Sequence, residues 1–252
     1  MRGTLGTVLR SVTAVAATAF ERSSRRKGRS LLLDAVTTCV QEWGWPVVPG
    51  AGVLHGHGMG HSMGHGMGLG HGAGAGGGEL PCGCPRPDCP TPGAHPYDPP
   101  LLAATTDSRM VGWWWRRRPD APIVVATGGA VSAVSLPIEA GVRALEYFDT
   151  LRVETGPVIA TPTRCVLLVA PYTMQELAEL LIAQEWVPTS LRFHGSGGYV
   201  LLPPSRSGAG ALRWLREEPT TGEAPWLPTV STLIEALVSA SAAAPDGARL
   251  AY

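Results

Sequence analysis

Residues 122–136, PIVVATGGAVSAVSL, decide how this chain can fold. Ile123, Val124 and Val125 form a run suited to a strand, and residues 131–136 (VSAVSL) form a second. Thr127-Gly128-Gly129 between them is a turn signal. Pro137 sits where a helix through Thr150 would begin, and proline is favoured at a first helical position. Downstream, residues 157–160 and 164–169 (RCVLLV) read as strands. Residues 173–185 read as a helix, with Thr173 as N-cap and Glu176 completing a capping box. Residues 190–193 and 198–202 are short strands joined by His194-Gly195-Ser196-Gly197, spaced as a hairpin. Residues 229–242 read as a closing helix, and 211–216 fit no single pattern. Upstream, Leu32, Val36, Cys39 and Val40 recur at helical spacing within residues 31–42. Gly44 ends that helix and residues 45–49 form a strand. Another helix starts at Thr106-Asp107 and runs to Arg118. Interleaved helices and strands with hairpin-like pairs predict an α+β domain with a mixed sheet and flanking helices.

The chain has 252 residues, of which 44% are hydrophobic and 16% charged, enough to bury a core. Lys+Arg and Asp+Glu are both 20, so binding to phosphate would need a local patch. Gly is 32 and Pro is 23, which commits much of the chain to loops. No apolar run is long enough to span a membrane. Residues 4–20 are interrupted by Arg10, and the basic cluster Arg22, Arg25, Arg26, Lys27 and Arg29 follows them. The order is wrong for a secretory signal, so residues 1–29 read as a flexible basic tail. Residues 30–242 form the domain, and 243–252 read as a C-terminal tail. Within the domain, residues 50–78 hold a glycine-rich run with His55, His57, Met59, His61, Met63, His65, Met67 and His71. Such glycine density opposes both helix and packed strand, so the segment reads as a disordered insertion. Its imidazoles and thioethers suit copper or nickel, against the simpler reading of a tolerated low-complexity stretch.

Three of the five cysteines crowd into residues 80–97, and the other two, Cys39 and Cys165, lie in apolar surroundings. This is no disulfide framework; it fits a reducing cytoplasm and one metal site. Cys82, Cys84, Cys89 and His95 are spaced C-x-C-x4-C-x5-H. Three thiolates and an imidazole satisfy tetrahedral zinc, and four protein ligands make that zinc structural. A surface loop of reduced thiols is the competing reading.

CGCPRPDCPTPGAHP (residues 82–96), AATTD (103–107), WWWRRRPDAPIVVATGG (113–129) and GGYVLLPPS (197–205) occur in the order seen in the bifunctional DNA primase/polymerase family, which this chain resembles. The resemblance implies a compact primase-like domain built on an RRM-like, mixed or antiparallel sheet. It also implies nucleotide polymerisation through metal-binding acids on one strand, a further acid and a histidine. Here the expected acid strand reads Ala133-Val134-Ser135-Leu136-Pro137. The motif expected to end in histidine reads Thr161-Pro162-Thr163-Arg164-Cys165. The later acid position falls near Arg192. No Asp/Glu-x-Asp/Glu triplet occurs in the chain. The resemblance therefore implies the fold without a magnesium or manganese site, since hard cations need oxygen ligands. The competing expectation is an active enzyme whose acids are displaced to Glu139, Glu146 or Asp149.

A non-catalytic role would rest on other side chains. Trp113, Trp114, Arg116, Arg117 and Arg118 offer aromatic and cationic contacts for single-stranded DNA or RNA, with Arg192 and His194 beside a glycine-rich turn. Three consecutive tryptophans on a helix spread over about 200°, however, so at least one is expected in the core. His194 and its turn read equally as plain structure. The expected partners are single-stranded DNA or RNA and replication or regulatory proteins, with no membrane. A pure protein-interaction scaffold is the third class.

Overall fold

The computed structural model describes residues 27–54, 80–184, 186–216 and 222–242. Residues 27–41 form helix α1. Strands β1 (Val47–Gly52) and β2 (Gly93–Pro96) follow, then a 3-10 turn at Leu101–Ala103, helix α2 (Ser108–Arg117) and strand β3 (Ile123–Ala126). The second half contains β4 (Ser132–Pro137), α3 (Ile138–Leu151), β5 (Val158–Ala160), β6 (Arg164–Val169) and α4 (Met174–Ile182). It ends with β7 (Arg192–His194), β8 (Tyr199–Leu202), β9 (Arg206–Ser207), β10 (Gly210–Ala211), β11 (Arg213–Arg216) and α5 (Val230–Ala242). One sheet has the order β2-β1-β3-β8, a second β11-β5-β6-β4-β7, and β9-β10 form a small ribbon. Among the described residues every strand pairing is antiparallel, so the fold is α+β as expected, without the parallel pairs of a mixed sheet.

Period-2 alternation assigns the two faces of the second sheet. Val134, Leu136, Cys165, Leu167 and Val169 are buried in a cluster with Ala144, Phe148, Leu233 and Leu237, which places α3 and α5 over that face. Ala133, Val166 and Leu168 belong to the other cluster, with α1, α2 and the first sheet. Ser135 shares the face of Ala133, and Arg164 that of Val166, so both look away from α3. The same alternation on β7 packs Phe193 towards the helices and leaves Arg192 and His194 on the opposite face.

The turn at Thr127-Gly128-Gly129 is present, but β3 and β4 do not form a hairpin. β3 pairs with β1 and β8, while β4 pairs with β6 and β7. Likewise, β7 and β8 do not pair with each other across Gly195–Gly198, which corrects the hairpin expectation. Both glycine-rich turns carry the chain from one sheet to the other, and they touch. Thr127 N–H donates to the Gly198 carbonyl at 3.0 Å. Gly128 has φ +99, and a Cβ there would lie 2.3 Å from Ser196 Cα.

Capping chemistry sets the starts of two helices. Asp107 caps α2 through Arg109 and Met110 N–H, and Thr173 with Glu176 forms the capping box of α4. Three boundaries move. Residues 50–52, assigned to the insertion, complete β1, and Val53 bridges Cys82, because the cysteine loop supplies their pairing partners. Residues 27–29, assigned to the tail, are helical, and Arg29 is not part of a free arm: its guanidinium pairs with Asp120 at 2.8 Å. The ambiguous 211–216 segment ends in β11, which pairs with β5. The remaining tail residues and the His/Met run lie outside the described residues. Among the described residues, no helix is long and apolar enough to cross a membrane.

Candidate functional site

The cysteine loop folds against the end of β1. Leu54 N–H donates to the Pro81 carbonyl, and Gly83 N–H to the Gly52 carbonyl. β2 returns beside β1 with Gly52 opposite Gly93, which carries His95 back to the cysteines. Gly93 has φ +69, and a Cβ there would meet Val53 at 2.7 Å, so glycine is needed for this close return. The ligand atoms of Cys82, Cys84, Cys89 and His95 all lie within 4.8 Å of one another. His95 Nε2 is 3.3 Å from both Cys82 Sγ and Cys89 Sγ. Such separations fit the edges of a tetrahedron with metal–ligand bonds of about 2.0–2.3 Å.

The surroundings prepare these atoms for a cation. His95 Nδ1 lies 2.9 Å from the Pro96 carbonyl, which places the proton on Nδ1 and leaves Nε2 as the donor atom. Gly93 N–H donates to Cys82 Sγ at 3.2 Å. Burial disfavours the Cys82 thiolate, but the Gly93 and Cys84 backbone N–H groups and the Cys84 and His95 side chains outweigh it, bringing this thiol to about 6. Burial, reinforced by neighbouring Cys82 and Cys84, raises the Cys89 thiol instead. A cation at the centre would relieve both effects by stabilising every thiolate. The four residues thus form a cluster able to hold one metal ion, of a chemistry compatible with zinc. Cys39 and Cys165 are buried away from it.

Beside the loop lies a cleft of about 480 Å³. Pro90, Thr91, Pro92 and Ala94 of the metal loop form one wall, and Tyr199–Leu201 of β8 another. The floor is the inner face of β4, β6 and β7, where Ser135, Arg164, Arg192 and His194 converge. Ser135 stands opposite Arg192 in the β4–β7 register. Arg164 donates from Nε to Ser135 Oγ at 3.1 Å, and from a terminal nitrogen to the carbonyls of Ser135 and Ser190, each at 2.7 Å. Ser135 Oγ is also 2.9 Å from His194 Nε2. The hydroxyl accepts from the guanidinium, which leaves its O–H free to donate a hydrogen bond to the imidazole. Burial, with Arg164 and Arg192 close by, pushes His194 down to about 4, so it is neutral near pH 7. Burial, then Arg192, lowers the Arg164 guanidinium to about 10, still charged at that pH.

The strand motifs, separate in sequence, therefore meet in one place, and among the described residues no carboxylate lines the cleft. Ser135 and Arg164 were noted only as substitutes for expected residues. Their available signal was a polar side chain at a cleft-facing alternate position of an otherwise apolar strand. Glu139, Glu146 and Asp149, the displaced-acid candidates, are exposed on α3, outside the cleft lining, and Asp149 pairs with Arg216.

The tryptophan–arginine segment is divided by its helix. Trp114 is buried at 7% exposure, which removes it from any nucleic-acid surface. Trp115 is also buried and donates from Nε1 to the Ala121 carbonyl at 3.1 Å. Trp113 is exposed, with the Arg117 guanidinium 4.3 Å from its ring centroid. Arg116 is exposed, whereas Arg118 turns back to the Asp98 carbonyl. None of these residues lines the cleft. Helical rotation of about 100° per residue sends Trp114 and Trp115 inward and Trp113 outward.

No curated protein and no solved structure matches the chain. The family description "Bifunctional DNA primase/polymerase, N-terminal" matches residues 37–229, which contain the cysteine loop, both crossing turns and the cleft. The match covers most of the chain and includes every strand described above; this chain belongs to the bifunctional DNA primase/polymerase N-terminal domain family.

Proposed function

We propose that this DNA primase/polymerase-like domain has lost nucleotidyl transfer and serves as a non-catalytic nucleic-acid-binding or regulatory module. One observation carries this reading. On β4, where the resemblance leads one to expect a pair of metal-binding acids, Ser135 is held by Arg164 and faces Arg192 across the strand register. Two guanidinium groups repel a divalent cation, and serine and histidine cannot replace a carboxylate pair as ligands for magnesium. The exposed Trp113–Arg117 stack and Arg116 supply a separate surface for bases and phosphates. The bound metal is zinc, held by Cys82, Cys84, Cys89 and His95 in a structural role, since four protein ligands leave no open position. Reduced thiolates fit a cytoplasmic protein.

The test is a pair of assays on the full chain. Incorporation of labelled deoxynucleotides and ribonucleotides is followed on primed and unprimed templates with magnesium or manganese, and single-stranded DNA and RNA are titrated at several salt concentrations. No incorporation, together with binding that weakens steeply with salt, is the expected pair of results. Template-directed incorporation abolished by Glu139→Gln or by Glu146→Gln would establish the active alternative. Absence of both incorporation and binding at low salt would leave a protein-interaction scaffold.

A further inference from the structure

Arg164, Arg192 and His194 share the floor of a cleft that has no acidic lining residue among the described residues. Among the described residues neither arginine forms a salt bridge with a carboxylate. Arg164 is half-buried and spends Nε and one terminal nitrogen on Ser135 and Ser190, while its other terminal nitrogen makes no hydrogen bond among the described residues. Holding two like charges together in a partly desolvated site is costly unless an anion joins them. The walls are of different character: Pro90, Pro92, Leu201 and Leu212 are apolar, and Tyr199 adds an aromatic ring. A cleft of about 480 Å³ with a cationic floor and apolar walls matches a ligand with phosphate at one end and a flat base at the other.

We infer that this cleft binds nucleotide phosphate directly through Arg164 and Arg192, with no bridging divalent cation. The inference rests on the reading that the metal-binding acids are gone. In a site built on carboxylates, a cation must stand between the acids and the phosphate. Here the guanidinium groups meet the phosphate oxygens themselves, the exposed Arg192 and the half-buried Arg164 side by side on the floor, where Ser135 and Ser190 fix the orientation of Arg164. Magnesium then becomes a competitor, because it neutralises the phosphate chain that the arginines require.

Calorimetric titration of the full chain would use deoxyadenosine triphosphate, inorganic tripolyphosphate and oligo(dT), in buffer without chelator so that the cysteine cluster is undisturbed. Deoxyadenosine triphosphate should bind without added magnesium, and saturating magnesium should weaken it by about tenfold as charge on the phosphate is screened. Arg192→Ala should weaken it by about tenfold or more, since Arg192 supports no neighbouring carbonyl. Arg164→Lys keeps the charge and loses the fork; it should bind more weakly than wild type, with circular dichroism checking that each variant is folded. Displacement of the nucleotide by oligo(dT) would assign strand phosphodiesters to the same cleft, and absence of displacement would assign free nucleotide. Binding that requires magnesium, binding unchanged in folded Arg192→Ala, or no binding of any of the three probes at low salt would overturn the inference. Nucleotide incorporation would instead overturn the loss of catalysis, so the two failures are separable.

Discussion

Thr127 Oγ1 donates to the Gly195 carbonyl at 2.7 Å, joining the β3–β4 crossing to the β7–β8 crossing 68 residues later. The two turns are the places where the chain changes sheets, so this contact holds both walls of the cleft in register. Thr127→Val should cost about 1 kcal/mol by removing this hydrogen bond, although the Gly195 carbonyl keeps the Gly198 N–H as a partner, and Thr127→Ser should be nearly neutral. Gly128→Ala should cost more, about 2 kcal/mol or above, because it meets Ser196 backbone and adopts an unfavourable positive φ. Urea unfolding of the three variants checks the order.

The tryptophan run offers a test in which neighbours behave differently. Trp114→Ala and Trp115→Ala should each destabilise by about 3–5 kcal/mol, as expected for large buried side chains. Trp113→Ala should change stability by less than about 0.5 kcal/mol, since it is exposed and touches Arg117. If the exposed stack contacts nucleic acid, Trp113→Ala and Arg117→Ala will weaken single-strand binding while leaving the unfolding midpoint in place.

Elemental analysis of protein prepared without a tag should find about one zinc per chain. Cys84→Ser should lower that content, and chelation should lower the melting temperature, because the ion ties β1 and β2 to the loop. Deleting residues 55–77 should leave the zinc in place. The four residues of the cluster, Cys82, Cys84, Cys89 and His95, all lie outside that segment. Freely reactive thiols and no metal would overturn this assignment.

His194 gives the protein an acid-side instability. Its ordinary value of 6.5 falls to about 4 in the folded chain, first through burial and then through Arg164 and Arg192. Between those two values the unfolded state takes up a proton that the folded state refuses, so stability rises with pH across the window. The contribution is complete above about 6.5 and is lost progressively on acidification towards 4. His194→Gln should flatten the pH dependence of the urea midpoint in this range. An unchanged slope would show that the imidazole is not held neutral.

Some features needed only neighbouring residues. Asp107 announces α2 and Thr173 with Glu176 announces α4, because a cap is a hydrogen bond within one turn of chain. Cys82, Cys84, Cys89 and His95 were legible for the same reason: they lie within fourteen consecutive positions, and prolines leave the loop few other ways to fold. The ordered motifs from Cys82 to Ser205 were enough to indicate the family.

Pairing was another matter. The run Val131–Leu136 by itself determined a strand and, through alternation, which residues share a face with Ser135. It did not determine that β4 would pair with β6 and β7 rather than with β3, since both edges of any strand offer the same unpaired N–H and C=O groups. That choice belongs to the tertiary structure, in which the apolar face of the second sheet must lie under α3 and α5. Once it does, Ser135, Arg164, Arg192 and His194, drawn from three strands, have only the cleft to face. The residue types were set by sequence. Their convergence into a cationic floor without carboxylates was decided by burial of the opposite face.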